Sequence, residues 1–199
     1  MQPKFEFTGE TKTVLGHTLQ RIRALRSFGN VNKGDLGGWL EKEENLSHER
    51  NSLVYDDAQV YGGAWVYGDA WVYGGAWVYG DAWVYGDAQV SGGAQVSGDA
   101  RVFGDARVSG DARVSGNARV YKQNHIYIVP HIGSRNGTTT FFRTADRKIW
   151  VNCGCFSGDI DQFAAAVKKT HGNNKHAQDY AAAIERAKDW IDLSEEGAQ

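Results

Sequence analysis

Two clusters in the last third of this 199-residue chain carry residue types that could do chemistry. The first is Gly133-Ser-Arg-Asn-Gly-Thr-Thr-Thr140. Glycines and hydroxyls let a turn offer backbone N–H groups to an anion, and an arginine can clamp a phosphate or carboxylate with two parallel bonds. Ser134, Arg135 and Thr138 are therefore candidate ligand-binding residues, with Arg143 further along the same stretch. The ligand implied is a small anion such as a nucleotide. The competing reading is a plain hairpin, because Asn136-Gly137 is itself a type I′ turn signal. The second cluster is Cys153-x-Cys155 with His171 and His176. Those four residues are of the types that make a tetrahedral zinc site, but the cysteine spacing is not that of the usual zinc knuckle. His171 is explained more simply as a cation at a helix C-terminus. The expectation is no metal and no cofactor, with Cys153, Cys155, His171 and His176 as the alternative. No His–Asp arrangement that would activate a cysteine is legible.

The elements around these clusters read as a small α+β module over 122–193. Strands are expected at His125–Val129, Phe141–Arg143 and Ile149–Cys153. Asp159 and Gln162 are spaced as a capping box. Ile160, Phe163 and Val167 then share one helix face up to His171-Gly172, and Tyr180, Ile184, Ala187 and Ile191 mark a second helix. Residues 194–199 read as a frayed tail.

The rest of the chain is organised by a repeat. From Ala58 to Val120 the triplet Ala-x-Val recurs every six residues, eleven times, without a slip. A fixed short period means a solenoid. In Ala-x-Val the outer residues point one way and the middle one the other. Gly62, Gly68 and their successors to Gly116 allow a positive φ at a tight corner. Each hexad is then a short strand plus a corner, and three hexads close a triangular coil. Eleven hexads rise roughly 18 Å at about 4.8 Å per coil. Leu40, Leu46 and Ser52 precede Ala58 at the same interval, which places the solenoid at 40–121. Residues 1–39 read as a β cap that blocks the open end. Within it, Lys4–Phe7 and Thr11–Leu15 are expected to form a hairpin about Thr8-Gly9-Glu10, with Thr18–Leu25 as a third strand.

The outward residues change along the array, from Trp65, Trp71, Trp77 and Trp83 through Gln89 and Gln95 to Arg101, Arg107, Arg113 and Arg119. With three hexads per coil, Trp65, Trp83, Arg101 and Arg119 fall in one column, where Trp83 can stack on Arg101. Tyr67, Tyr73 and Tyr79 extend the aromatic half. This apolar patch is larger than scattered surface residues require. Trp65, Trp71, Trp77, Trp83, Tyr67, Tyr73 and Tyr79 are thus candidate interface residues of a homo-oligomer, a trimer being favoured. The net charge of −2 says nothing about a nucleic-acid partner, but Asp99, Asp105 and Asp111 offset the arginines and make nucleic acid an unlikely one.

The repeat resembles the hexapeptide-repeat family. Val66-Tyr-Gly-Asp-Ala-Trp71 fits its aliphatic and small positions and departs where Tyr or Ser follows the aliphatic residue. The resemblance implies that the solenoid is a left-handed parallel β-helix, and with the N-terminal β cap and small C-terminal α+β module read above the expected fold class is mainly β. Enzymes of that family are acyl-CoA-dependent acyltransferases with a histidine base on the coil. Here no histidine lies between Asn51 and Asn124, and only His48 and His125 flank the array. His48 falls in a degenerate hexad and reads as structural. No catalysis is expected. Gly34-Asp-Leu-Gly-Gly-Trp-Leu40 and Trp150-Val-Asn-Cys-Gly-Cys-Phe-Ser-Gly158 resemble segments of uncharacterised bacteriophage and prophage proteins. That resemblance implies a source and not an activity; together with the Gly133–Thr140 loop it leads to the expectation of a binding protein, with a host protein or small anionic ligand as partner and countering host defence as its purpose. A virion or assembly component is the structural alternative. No signal peptide, membrane-length apolar run or disulfide framework is legible, so the expected compartment is the cytoplasm.

Overall fold

The computed structural model describes residues 3–194. The expected tail at 194–199 lies, apart from Ser194, outside the described residues. The architecture is mainly β, a parallel β-solenoid between a sheet-rich N-terminal part and a small helical and β module. Strands β1 (Phe5–Val14), β2 (His17–Ala24) and β3 (Leu36–Leu40) come first. Two-residue strands follow at six-residue steps, from β4 (Leu53–Val54) to β15 (Arg119–Val120).

The solenoid has three faces. One stacks Trp39, Gln59, Trp77, Gln95 and Arg113. A second stacks Leu53, Trp71, Gln89 and Arg107, and a third Trp65, Trp83, Arg101 and Arg119. Every Val and Ala of the repeat points inward into one continuous core, and Ala70 to Val120 are all 0 % exposed. Only small and β-branched residues fit so narrow a triangle. Main-chain bonds join the coils, for example Trp83 N to Ala100 O at 2.9 Å and Asp87 N to Gly104 O at 3.0 Å. The corners need glycine for two reasons. Gly86 has φ +68, and a Cβ there would lie 2.9 Å from Gly104 N in the next coil.

The N-terminal part departs from the sequence reading in two places. Thr8-Gly9-Glu10 is not a turn. It is an irregularity inside β1, with Gly9 at φ +87, and the hairpin turns at Leu15-Gly16, both at positive φ. Leu40 and Leu46 do not take the Ala positions that their spacing gives them. They pair with Val60 and Val66, because two extra residues between Leu46 and Leu53 shift the register. Leucine fits the slot of the larger aliphatic residue, and the surplus is absorbed at Arg50, at φ +54. His48 sits in this bulge. Its ring stacks on Phe5 at 4.5 Å, its Nδ1 accepts from Lys4 N at 3.0 Å, and its Nε2 lies 2.7 Å from Glu43 Oε1. Lys4 itself is fully buried, and its Nζ donates to Ser52 O at 2.7 Å and Ser52 Oγ at 3.0 Å.

The C-terminal module is a four-stranded antiparallel sheet of β16 (Ile126–Ile132), β17 (Gly137–Arg143), β18 (Ile149–Cys153) and β19 (Phe156–Asp159). Two helices, α1 (Ile160–His171) and α2 (Lys175–Trp190), cover one face. Asp159 caps α1 with the reciprocal Gln162 contact that the spacing predicts. Alternation along β17 serves two cores: Phe142 closes the end of the solenoid core, and Phe141 packs under the helices. Main-chain and side-chain bonds to Arg113 join the parts, from Asn152 Nδ2 to Arg113 O at 3.0 Å and from Arg113 N to Thr140 Oγ1 at 3.0 Å.

Candidate functional site

The β16–β17 hairpin, the β18–β19 turn and α1 enclose a cavity of about 310 Å³. Ser134, Arg135 and Thr138 from the first cluster line it together with Cys153, Cys155 and His171 from the second. Two groups far apart in sequence therefore share one wall. Each has a local reason for its place. Gly133 (φ +77) and Asn136 (φ +52) turn the hairpin, and Gly154 (φ +58) turns β18 into β19. A Cβ at Gly133 would fall 2.0 Å from Tyr180 Oη, so glycine lets the loop close down on α2.

The floor is apolar: Ile132, Phe156, Phe163, Val167 and Tyr180. Phe163 meets Tyr180 edge-on at 5.5 Å and Phe156 at 5.1 Å. The polar groups below the rim are bonded to one another. Thr139 donates to Cys153 Sγ at 3.0 Å, and Tyr180 Oη lies 3.6 Å from the same sulfur. Burial first, and the Cys153 contact second, push the Tyr180 phenol up to about 12, so it stays protonated as a donor. Arg135 is exposed at the mouth. The arrangement suits a molecule with a flat apolar body and an anionic end, the body against the rings and the anion at Arg135.

The structure does not bring Arg143 to this cavity. Five residue steps of extended strand separate it from Thr138, about 17 Å. Its guanidinium lies over the Tyr121 ring at 5.3 Å, donates to Ser194 O at 3.2 Å and is 3 % exposed. Beside it His125 is fully buried, its Nε2 4.0 Å from Asp192 Oδ2. Burial, reinforced by Arg143, lowers the His125 imidazole to about 4. These residues plug the C-terminal end of the aromatic corner.

The alternative metal set is not assembled either. Cys153, Cys155 and His171 reach the same cavity, but His176 is not on its lining, and its ring lies 5.6 Å from that of His171. Among the described residues no group of three or more His, Cys, Asp or Glu is placed to hold a metal ion. Sequence reasoning missed Tyr180, Thr139 and the phenylalanine floor as parts of the site. Phe163 and Tyr180 were legible only as the apolar faces of helices.

Outside the module, the third face is built as its column predicts, with Arg101 centred 3.8 Å over the Trp83 ring. Trp65 is 37 % exposed and packs on Tyr67 at 4.1 Å, and Trp71, Trp77 and Trp83 are half-buried. Along the next corner Tyr67, Tyr85, Phe103 and Tyr121 stack ring on ring at 4.7 to 5.0 Å.

A protein-family model described as YdcK Beta solenoid repeat matches residues 94–110. That match falls inside the regular array and agrees with the solenoid. No curated protein matches the chain. No helix among the described residues is long and apolar enough to cross a membrane.

Proposed function

We propose that this chain is a non-enzymatic binding protein of the bacteriophage type, built on a hexapeptide-repeat solenoid and acting in the host cytoplasm. The solenoid self-associates through its tryptophan-bearing faces. The C-terminal module captures a small anionic ligand with an aromatic body, a nucleotide being the representative case. Sequestering such a signal is a way to counter host defence. The observation that supports this reading most is the convergence of Ser134, Arg135 and Thr138 with Phe156, Phe163 and Tyr180 around one cavity. Aromatic rings against a base and a guanidinium against a phosphate are the two contacts that such a ligand needs. The thiol of Cys153 is held by Thr139 and Tyr180 rather than by a histidine base, which fits binding better than catalysis.

Isothermal titration against a panel of mono-, di- and cyclic nucleotides tests the proposal. One class should bind, and Arg135→Ala should weaken it by about 1.5 to 3 kcal/mol, the usual value of a hydrogen bond to a charged group, with unchanged melting behaviour. A panel without binding, or an Arg135→Ala variant that binds as the parent does, would contradict the reading.

A further inference from the structure

We infer that the face carrying Trp65, Trp83, Arg101 and Arg119 docks on the same face of a second copy, with the two solenoid axes antiparallel. The inference rests on the self-association proposed above and specifies its geometry. In successive coils the column reads aromatic, aromatic, cation, cation. A two-fold axis crossing the face midway between Trp83 and Arg101 sets Trp65 against Arg119 of the second copy and Trp83 against Arg101 of the second copy. The two-fold repeats both contacts in reverse, so the interface is self-complementary. The cation–aromatic contact that it uses is already made within the chain, where Arg101 lies 3.8 Å over Trp83. Arg119 is held against the face by its Nη1, which bonds the carbonyls of Asp99 at 3.1 Å and Ala118 at 3.0 Å.

The ends of the face agree with this direction. Next to Trp65, a notch of about 570 Å³ is lined by Lys42, Glu43, Glu44, His48, Trp65 and Trp83; Glu43 is paired with His48 at 2.7 Å, and Glu44 is an exposed carboxylate at its edge. At the far end stands Arg119, with Lys122 beyond it paired to Asp192 at 3.3 Å. Antiparallel docking delivers Arg119 of the second copy to Glu44 at this notch, twice over. Parallel docking, as in a threefold trimer about the solenoid axis, sets residues of the same coil side by side. Arginine then meets arginine, a like-charge juxtaposition that disfavours the pairing. The other faces serve less well. The first is covered at one end by the β1–β2 hairpin over Trp39 and Tyr61, and at the other by the contacts of Arg113 with Thr140 and Gly154. The second, with Leu53, Trp71, Gln89 and Arg107, makes no aromatic–cation contact under the same operation, and two rather than four with the axis moved to Gln89.

Sedimentation velocity on the full chain tests the inference through a charge swap. The parent should sediment as a dimer. Arg119→Glu alone, and Glu44→Arg alone, should each weaken the dimer by about a hundredfold, as expected for two symmetry-related charged contacts of roughly 1.4 kcal/mol each. The double variant should regain most of the loss, which a folding defect would not do. A parent trimer, or a dimer indifferent to the swap, overturns the antiparallel pairing and leaves self-association standing. A parent that stays monomeric over the concentration range overturns both.

Discussion

Lys4 holds an ammonium group inside the mouth of an apolar tube, and burial there lowers its pKa from 10.5 to about 7. Above pH 10.5 neither the folded nor the unfolded chain carries that charge. Between about 7 and 10.5 the unfolded chain binds the proton and the folded chain does not, so stability rises with pH; below 7 both bind it and the full burial cost remains. His125 works in the same sense lower down, its stabilising neutrality lost as pH falls from 6.5 towards about 4. Chemical denaturation at pH 7 and pH 9 should show the parent gaining on the order of 2 kcal/mol relative to Lys4→Met, whose curve lacks this contribution. An equal pH response in the two proteins would mean that Lys4 is hydrated after all. Neither group was legible as buried. Lys4 stands just before β1 with no local signal of burial, and only the tertiary closure of the coil mouth over Ser52 encloses it. Arg135, Ser134 and Thr138 were legible, because their types and turn chemistry are local. Arg143 was misplaced because strand length, which local types do not reveal, carries it away from the loop.

At the scale of elements, the regular array was legible almost to the residue. Each of its short strands repeats the same three demands: a small residue, a β-branched residue and a corner glycine. The physics of that corner separates two substitutions. Gly86→Ala meets both a positive φ and Gly104 N at 2.9 Å, whereas Gly110, at φ +64, has nothing within 4 Å of the added carbon. Gly86→Ala should therefore lower the denaturation midpoint clearly more than Gly110→Ala, which bears only the backbone cost of about 1 kcal/mol or more. Equal losses would show that crowding between coils contributes little. Elements outside the array were less legible because tertiary context overrode local signals. Leu15, at φ +50, is an unfavourable turn residue, so the Leu15-Gly16 turn gave way in the sequence reading to Thr8-Gly9-Glu10. The two residues inserted after Leu46 likewise leave the spacing of the leucines intact and become visible only in strand pairing.

At the scale of the molecule, the solenoid supplies a rigid rod with a directional surface, aromatic at one end and cationic at the other. The C-terminal module closes the rod with Phe142 and Ile126 and keeps its cavity on the opposite side of the sheet, under α1. The proposed docking face and the cavity are therefore separate surfaces, and on this proposal ligand capture should not depend on docking. The existence of the module and its helix cap could be read from periodicity and the Asp159–Gln162 spacing, but the cavity could not. It exists only because the β18–β19 turn folds Cys153 and Cys155 against a hairpin that leaves β16 some twenty residues earlier. The central claim is that this is an assembling binding protein whose cavity is filled in the cell. Native mass spectrometry of protein purified from producing cells, beside its denatured mass, addresses it most directly. The account predicts twice the chain mass plus a few hundred daltons per subunit, the excess disappearing on denaturation and in Arg135→Ala. A bare monomer would contradict the account in both parts.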